Sequence, residues 1–131
     1  MKLYLGHPIQ GLQGDKVTKT EVAMNNTAAI AVAEYIEDHI TSDIDIHVPA
    51  RMEDFVHLAY EMGVLNIPQI LAIDCKIIEG CDALLVYAPY GMVTGGCKIE
   101  FDHALQCHKP IFVFEDARTA VEMIAQFILR A

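Results

Sequence analysis

The residues best suited to chemistry are two carboxylates, Asp74 and Glu100, which flank an apolar segment and a glycine-containing loop. Asp74 opens the pattern Asp74-x-x-x-Ile78-x-x-x-Asp82, and residues 83–88 that follow are continuously apolar. Such a run predicts a strand that is buried on both faces of a parallel sheet. The pattern therefore places the two carboxylates on either side of a central strand.

The loop after this strand predicts a site for an anionic ligand. Pro89, Gly91 and the pair Gly95-Gly96 interrupt regular structure there. A helix that begins near Gly96 would direct its first backbone N–H groups and its positive dipole end into the crevice above the sheet. Glu100 lies one turn into that helix, where it can meet a small, partly anionic ligand.

This spacing resembles that of the nucleoside 2-deoxyribosyltransferase family and of its relatives that hydrolyse nucleoside 5′-monophosphates. In that family a helical Asp, an Asp-x-x-x-Ile-x-x-x-Asp segment, a strand and a small-residue loop lead to the catalytic Glu. The matching positions here are Asp74, Ile78, Asp82, Gly96, Glu100 and Ala104. The family also begins with a strand that carries a tyrosine before a glycine-containing loop, and residues 3–9 (LYLGHPI) look similar.

The resemblance implies that two acids cleave an N-glycosidic bond. Glu100 would be the nucleophile that attacks the anomeric carbon, and Asp74 the acid that protonates the leaving nucleobase. The hydroxyl of Tyr4 would orient Glu100 and tune its nucleophilicity. Each of the three also has an ordinary interpretation, as a solvated helix residue or a packed strand residue. Asp82 is interpreted as a structural turn or capping residue.

The expected substrate-binding residues lie in two loops. They are Gly6, His7, Thr94, Gly95 and Gly96. Thr94 stands where relatives that act on free nucleosides carry Asp and where the monophosphate hydrolases carry Ser. Because a hydroxyl accepts a phosphate that a carboxylate would repel, the resemblance favours a 5′-monophosphate. No arginine accompanies His7, so Lys16, Lys19 or Arg51 are the alternatives for holding the phosphate.

Three further side chains are candidates for the nucleobase pocket. They are Tyr90, Met92 and Phe101, of which Phe101 is equally consistent with ordinary core packing. The sequence leaves open whether water or a second base accepts the sugar, and so whether a hydrolase or a transferase is present. The alternatives are a non-catalytic nucleotide-binding or sensing module on the same fold, and an NAD-cleaving glycohydrolase with a similar Glu mechanism.

Composition and net charge indicate which kinds of molecule the protein binds. The 131 residues suffice for one domain, residues 1–131, with its own core. A net charge of −9 argues against nucleic acid and leaves a small-molecule nucleoside or nucleotide as the expected partner. The apolar fraction of 53% predicts a homo-oligomer of two or more subunits. The closing helix offers one candidate interface, formed by Val121, Ile124, Ile128 and Leu129.

Cysteines and histidines give no metal-binding signature in the sequence. The four cysteines are Cys75, Cys81, Cys97 and Cys107. They show neither C-x-x-C pairing nor zinc-like spacing, which is typical of reduced thiols in a cytoplasmic protein. His7, His47 and His103 do not fall at ligand spacings either, so no metal and no cofactor are expected. No apolar run reaches membrane-spanning length, and the first residues do not form a signal peptide.

Alternation of strand and helix patterns predicts an α/β fold. We expect a flavodoxin-like or Rossmann-like three-layer structure, with a parallel sheet of four to five strands. Strands are predicted at 2–6, 43–48, 82–88 and 110–114, the second of them near an edge. Helices are predicted at 21–39 with Thr20 as N-cap, and at 52–62, 68–80, 96–107 and 117–130. Ligands in such folds bind beyond the carboxyl ends of the strands.

Overall fold

The computed structural model describes residues 1–131 and has an all-parallel sheet of four strands with helices on both faces. The strands are β1 (Lys2–Gly6), β2 (Asp45–His47), β3 (Ala83–Tyr87) and β4 (Ile111–Phe114). The helices are α1 (Lys19–His39), α2 (Glu53–Glu61), α3 (Ile67–Glu79), α4 (Gly95–Gln106) and α5 (Ala117–Arg130). Short 3₁₀ helices at Gly14–Lys16 and Pro49–Met52 precede α1 and α2. The predicted flavodoxin-like or Rossmann-like class is confirmed.

Alternating residues of the central strands build two separate cores. Leu3 and Leu5 of β1 face α1 and α5, where they pack with residues such as Ala33 and Ile124. Tyr4 points to the other face, and its cluster joins α3 and α4. This alternation is the ordinary period of a strand, so a tyrosine between two leucines is directed toward the layer formed by α3 and α4.

The strand order β2-β1-β3-β4 creates the crevice that the fold class predicts. β1 and β3 are hydrogen-bonded neighbours, with Gly6 paired to Val86, although β2 lies between them in sequence. The chain therefore passes from β1 to β2 on one side and from β3 to β4 on the other. This divergence opens a crevice at the carboxyl ends of β1 and β3. β2 lies at the edge of the sheet, as the nearby proline predicts.

Helix starts are set by capping residues that the sequence patterns only partly indicated. α1 begins two residues before the predicted start, because Thr18 rather than Thr20 is its N-cap. The Thr18 hydroxyl accepts from the N–H of Glu21 at 3.1 Å, and the Glu21 carboxylate accepts from the N–H of Thr18 at 3.2 Å. Asp82 accepts from the N–H of Lys2 at 2.8 Å, which confirms its structural interpretation.

Apolar surface is exposed on α2 rather than on α5. Four residues of α5 were named as a candidate interface. Ile124 is buried, and Val121 and Ile128 pack against the core. Only Leu129 is exposed to solvent. By contrast α2 buries no residue. We call Met52, Phe55, Leu58 and Met62 the α2 surface; their exposed fractions are 46%, 70%, 57% and 75%. No helix combines the length and apolar character that crossing a bilayer requires.

Candidate active site

A cavity of about 350 Å³ lies at the carboxyl end of β1, between α3, α4 and the loop that follows β1. Seven of the eight sequence-predicted site residues line it: Gly6, His7, Asp74, Thr94, Gly95, Gly96 and Glu100. The eighth, Tyr4, is fully buried behind the cavity. The structure thus brings together residues from three separate segments of the chain: residues 4–7, Asp74 and residues 94–100.

Glu100 is held by a hydrogen bond from Tyr4. The Tyr4 hydroxyl donates to Oε2 of Glu100, and only 6% of Glu100 is exposed. Oε1 of Glu100 lies beside Gly6, where an added Cβ would approach it to 3.2 Å. A side chain at position 6 would therefore crowd the carboxyl group, which explains why β1 ends in glycine. Oε1 accepts no hydrogen bond from the protein, so it is the oxygen available to a ligand.

Burial raises the pKa values of both carboxyl groups. The pKa of Glu100 is raised to about 7, mainly by burial and further by Asp74, while the Tyr4 hydrogen bond lowers it. The pKa of Asp74 is raised to about 6, again mainly by burial and again opposed by Tyr4. Burial, Glu100 and Asp74 together raise the pKa of Tyr4. At a pH between these two values, the two carboxyl groups therefore hold about one proton between them.

The first turn of α4 offers three backbone donors to the cavity. Thr94 is the N-cap residue, but its side chain accepts no hydrogen bond from the first turn. The N–H groups of Gly95, Gly96 and Cys97 therefore donate to no acceptor in the protein. Gly95 has a φ of +60°, which favours glycine at this position. Unpaired N–H groups and the positive end of the helix dipole make a suitable site for an anion.

Thr94 has a structural contact in addition to its place at the cavity. Its hydroxyl donates to the carbonyl of Gly11 at 3.2 Å, which ties the loop after β1 to the start of α4. The hydroxyl proton is therefore used within the protein. An anion at this position would depend on the backbone N–H groups more than on Thr94 itself.

His7 forms a buried pair that the sequence did not indicate. Its Nε2 lies 2.8 Å from Oδ1 of Asn26 on α1, and each residue is only 6% exposed. Burial lowers the pKa of His7, while the hydrogen bond to Asn26 raises it. A neutral ring that donates through Nε2 leaves Nδ1 as an acceptor. His7 can then hold a sugar hydroxyl without adding a positive charge.

The apolar wall of the cavity comes from residues that the sequence reasoning missed. Ile67, Ile70 and Leu71 of α3 line it beside Asp74, and Ile9 and Pro49 add to it from other elements. The signal was present in the sequence, since positions 67, 70, 71 and 74 share one face of a helix.

The three residues expected in the nucleobase pocket lie elsewhere. Tyr90 and Met92 border a smaller pocket beside α1, and Phe101 packs with the core of α3 and α4. None of the three lines the cavity that holds Asp74 and Glu100, and Phe101 takes the alternative role of a core residue.

No lysine or arginine side chain lines the cavity. Arg51, one of the three suggested phosphate ligands, pairs instead with Glu37 at the surface. Lys16 and Lys19 are also absent from the lining residues. A bound phosphate would consequently be held by backbone N–H groups.

Comparison with known proteins adds no relative: no protein-family model, curated protein or solved structure matches this chain. The resemblance to the nucleoside 2-deoxyribosyltransferases thus rests on the spacing of the residues. The geometry of the cavity is an independent observation.

Proposed function

We propose that this protein cleaves the N-glycosidic bond of a nucleoside 5′-monophosphate, or of the free nucleoside, through a covalent glycosyl ester on Glu100. The observation that carries the proposal is the arrangement of Glu100 and Asp74. Both carboxyl groups have raised pKa values, adjoin the buried Tyr4 and open into one cavity. Acids with such pKa values, placed together in a cleft, are typical of catalytic sites.

In the first step, Oε1 of Glu100 attacks the anomeric carbon of the sugar. The bond from that carbon to the base nitrogen breaks, and its electron pair leaves with the base, which takes a proton from Asp74. In the second step, Asp74 removes a proton from water as the water oxygen attacks the same carbon, and the ester bond to Glu100 breaks. A second base in place of water would make the enzyme a deoxyribosyltransferase.

The proposed roles need an ionised Glu100 and a protonated Asp74. In the free protein the pKa of Glu100, about 7, lies above that of Asp74, about 6. A nucleobase against Ile67, Ile70 and Leu71 would displace water from Asp74 and raise its pKa further. The hydrogen bond from Tyr4 meanwhile favours the ionised form of Glu100. Binding of the base would thus place the shared proton on Asp74.

The substrate fits the cavity in one orientation. The base would lie on the apolar wall from α3, and the sugar between Glu100 and His7. The 5′ substituent would point to the free N–H groups of Gly95, Gly96 and Cys97. These donors support a 5′-phosphate, although the protein as a whole is acidic, because hydrogen bonds to an anion act at short range.

The active form is proposed to be a homodimer or larger assembly in the cytoplasm. The α2 surface supports the oligomer, because an exposed apolar group of this kind marks an interaction site. All four cysteines are free, which agrees with a reducing compartment.

Chromatographic detection of free base tests the proposal directly. Wild-type protein is incubated with a panel of ribonucleosides, 2′-deoxyribonucleosides, their 5′-monophosphates and NAD. We expect base release from at least one nucleoside or monophosphate, and a loss of several orders of magnitude in Glu100→Gln and Glu100→Ala. Near wild-type turnover in Glu100→Ala contradicts the assignment of the nucleophile. Binding of a nucleotide without any base release favours the sensing module, and release from NAD alone favours the glycohydrolase.

A further inference from the structure

A second group of reactive side chains lies outside the cavity, where the C-terminal ends of α3 and α4 pack together. Glu79 is the last residue of α3, while His103 lies in the last turn of α4 and Cys107 directly follows it. Nε2 of His103 lies 3.0 Å from Oε2 of Glu79 and 3.6 Å from Sγ of Cys107. The three donor atoms all lie within 4.8 Å of one another.

These separations agree with those around a tetrahedral zinc ion. Zinc bonds of about 2.0 Å to nitrogen and oxygen and about 2.3 Å to sulfur give a nitrogen–sulfur separation of about 3.6 Å and a nitrogen–oxygen separation of about 3.3 Å. The His103–Cys107 distance matches the first value, and the His103–Glu79 distance is close to the second. Small side-chain rotations would bring all three atoms to ligand positions.

We propose that Glu79, His103 and Cys107 form a binding site for Zn²⁺, with water as the fourth ligand. Thiolate, imidazole and carboxylate together are typical of zinc, whereas magnesium and calcium prefer oxygen ligands alone. His103 and Cys107 are partly exposed and Glu79 is exposed, so an ion can reach them from solvent. The spacing of histidines and cysteines in the sequence predicts no such site, because the third ligand comes from a different helix.

The position of the site gives it a structural consequence. The buried residues Ile78 and Ala104 already pack α3 against α4 in the core cluster around Tyr4. A metal bound by Glu79, His103 and Cys107 would join the ends of the same two helices. Because these helices carry Asp74 and Glu100, the ion would hold the two carboxyl groups at a fixed separation. It would not touch the substrate.

Cobalt substitution tests the site, because Co²⁺ takes the same ligands and reports on them spectroscopically. Reduced protein, freed of metal by a chelator, is titrated with Co²⁺ alone. Wild type should bind one equivalent and show a thiolate-to-cobalt charge-transfer band, with ligand-field bands of the intensity of a four-coordinate ion. Stoichiometric Zn²⁺ should then remove both sets of bands by displacing Co²⁺.

Single substitutions test which side chains bind the metal. Cys107→Ser should lose the charge-transfer band. Since loss of even an outer-shell partner weakens metal binding by about 10- to 100-fold, His103→Gln and Glu79→Gln should weaken Zn²⁺ binding by about tenfold or more. Circular dichroism checks that each variant remains folded.

Two matched controls distinguish the site from ordinary surface pairs. His57 lies 3.0 Å from Glu61 on α2, a histidine–glutamate pair with the same separation but without a thiol. Cys75 lies one turn before Glu79 on α3 and is the nearest alternative thiol by helical spacing. His57→Gln and Cys75→Ser should bind Zn²⁺ and Co²⁺ as wild type does. The proposal is overturned if wild type gives no charge-transfer band, if Cys107→Ser retains it, or if either control variant loses metal binding.

Discussion

The hydroxyl of Tyr4 donates a hydrogen bond to Oε2 of Glu100, joining two buried residues that lie 96 positions apart in the sequence. The contact exists because β1 and β3 are adjacent in the sheet, which brings the start of the chain under the first turns of α4. It places an ionisable pair where an apolar pair would pack more stably. Residues that lower the stability of the fold in this way are typical of functional sites.

Glu100→Gln is therefore expected to stabilise the protein at alkaline pH. The folded pKa of Glu100 is about 7, against an ordinary value of 4.5. Between these values the folded state binds more protons than the unfolded state, so the free energy of unfolding falls as pH rises. Glutamine removes this loss and can still accept from Tyr4. The gain should reach up to about 3 kcal/mol at about pH 8 and vanish below about pH 4.5.

Urea unfolding of both proteins across this range of pH measures the effect. Glu34→Gln, on an exposed position of α1, is the matched control and should change the free energy of unfolding little at any pH. A Glu100→Gln variant that is no more stable than wild type at alkaline pH would show that Glu100 titrates as an ordinary surface residue.

Tyr4→Phe should shift the pH dependence of catalysis. The hydrogen bond from Tyr4 lowers the pKa of Glu100, so its loss raises that pKa. Because Glu100, as the proposed nucleophile, must be ionised, the acidic limb of the kcat/KM profile should move to higher pH. A hydrogen bond to a charged group is worth about 1.5–3 kcal/mol, which corresponds to a shift of about one to two pH units.

Base release measured over a range of pH gives the profile. Tyr90→Phe, on an exposed tyrosine outside the cavity, should leave it unchanged. An acidic limb that stays in place in Tyr4→Phe would mean that Tyr4 only packs in the core and does not tune Glu100.

The fold was predictable because its signals are local. The apolar run that forms β3, the alternation around Tyr4 and the stops at Gly63 and Pro49 each predict an element without knowledge of the others. Helix starts were less predictable, since Thr18 and Thr20 both suit an N-cap and only the reciprocal bond with Glu21 decides between them. Which apolar helix leaves its surface exposed was also undetermined, because α2 and α5 both carry apolar residues and differ in what covers them.

The polar residues of the candidate site could be predicted from the sequence, whereas the residues that contact them could not. Asp74 and Glu100 follow a spacing that can be read along the chain. The Asn26 partner of His7 comes from another element, and its position depends on packing that no local pattern encodes. The same holds for the group formed by Glu79, His103 and Cys107, which joins two helices.

Leu58→Asp should dissociate the proposed oligomer. Leu58 lies at the centre of the α2 surface and is 57% exposed, so the change should not disturb the core. A charge at the centre of an apolar interface weakens association strongly. Sedimentation should show a dimer or larger species for wild type at micromolar concentration and a monomer for the variant.

Leu129→Asp is the matched control for the interface, because Leu129 is 85% exposed on α5. It should leave the oligomer intact. A wild-type protein that is monomeric and fully active would contradict the proposal, and dissociation by Leu129→Asp alone would move the interface to α5.

Thr94→Asp should impair cleavage of 5′-monophosphates far more than cleavage of nucleosides. An Asp at the N-cap of α4 would accept from the free N–H groups of the first turn and occupy the place of the phosphate. It would also lose the hydrogen bond that the Thr94 hydroxyl donates to Gly11. Loss of one charge-assisted hydrogen bond, about 1.5–3 kcal/mol, corresponds to about a 10- to 100-fold fall in kcat/KM for the monophosphate.

Two further variants separate the causes of this effect. Thr94→Ser keeps the hydroxyl and should retain the wild-type preference. Thr94→Asn caps the helix without a negative charge, so it should lie between wild type and Thr94→Asp if repulsion contributes. The values to compare are kcat/KM for a nucleoside and its own 5′-monophosphate in each protein. If wild type prefers the nucleoside and Thr94→Asp changes both substrates alike, the first turn of α4 holds no phosphate, and the free-nucleoside transferase becomes the better proposal.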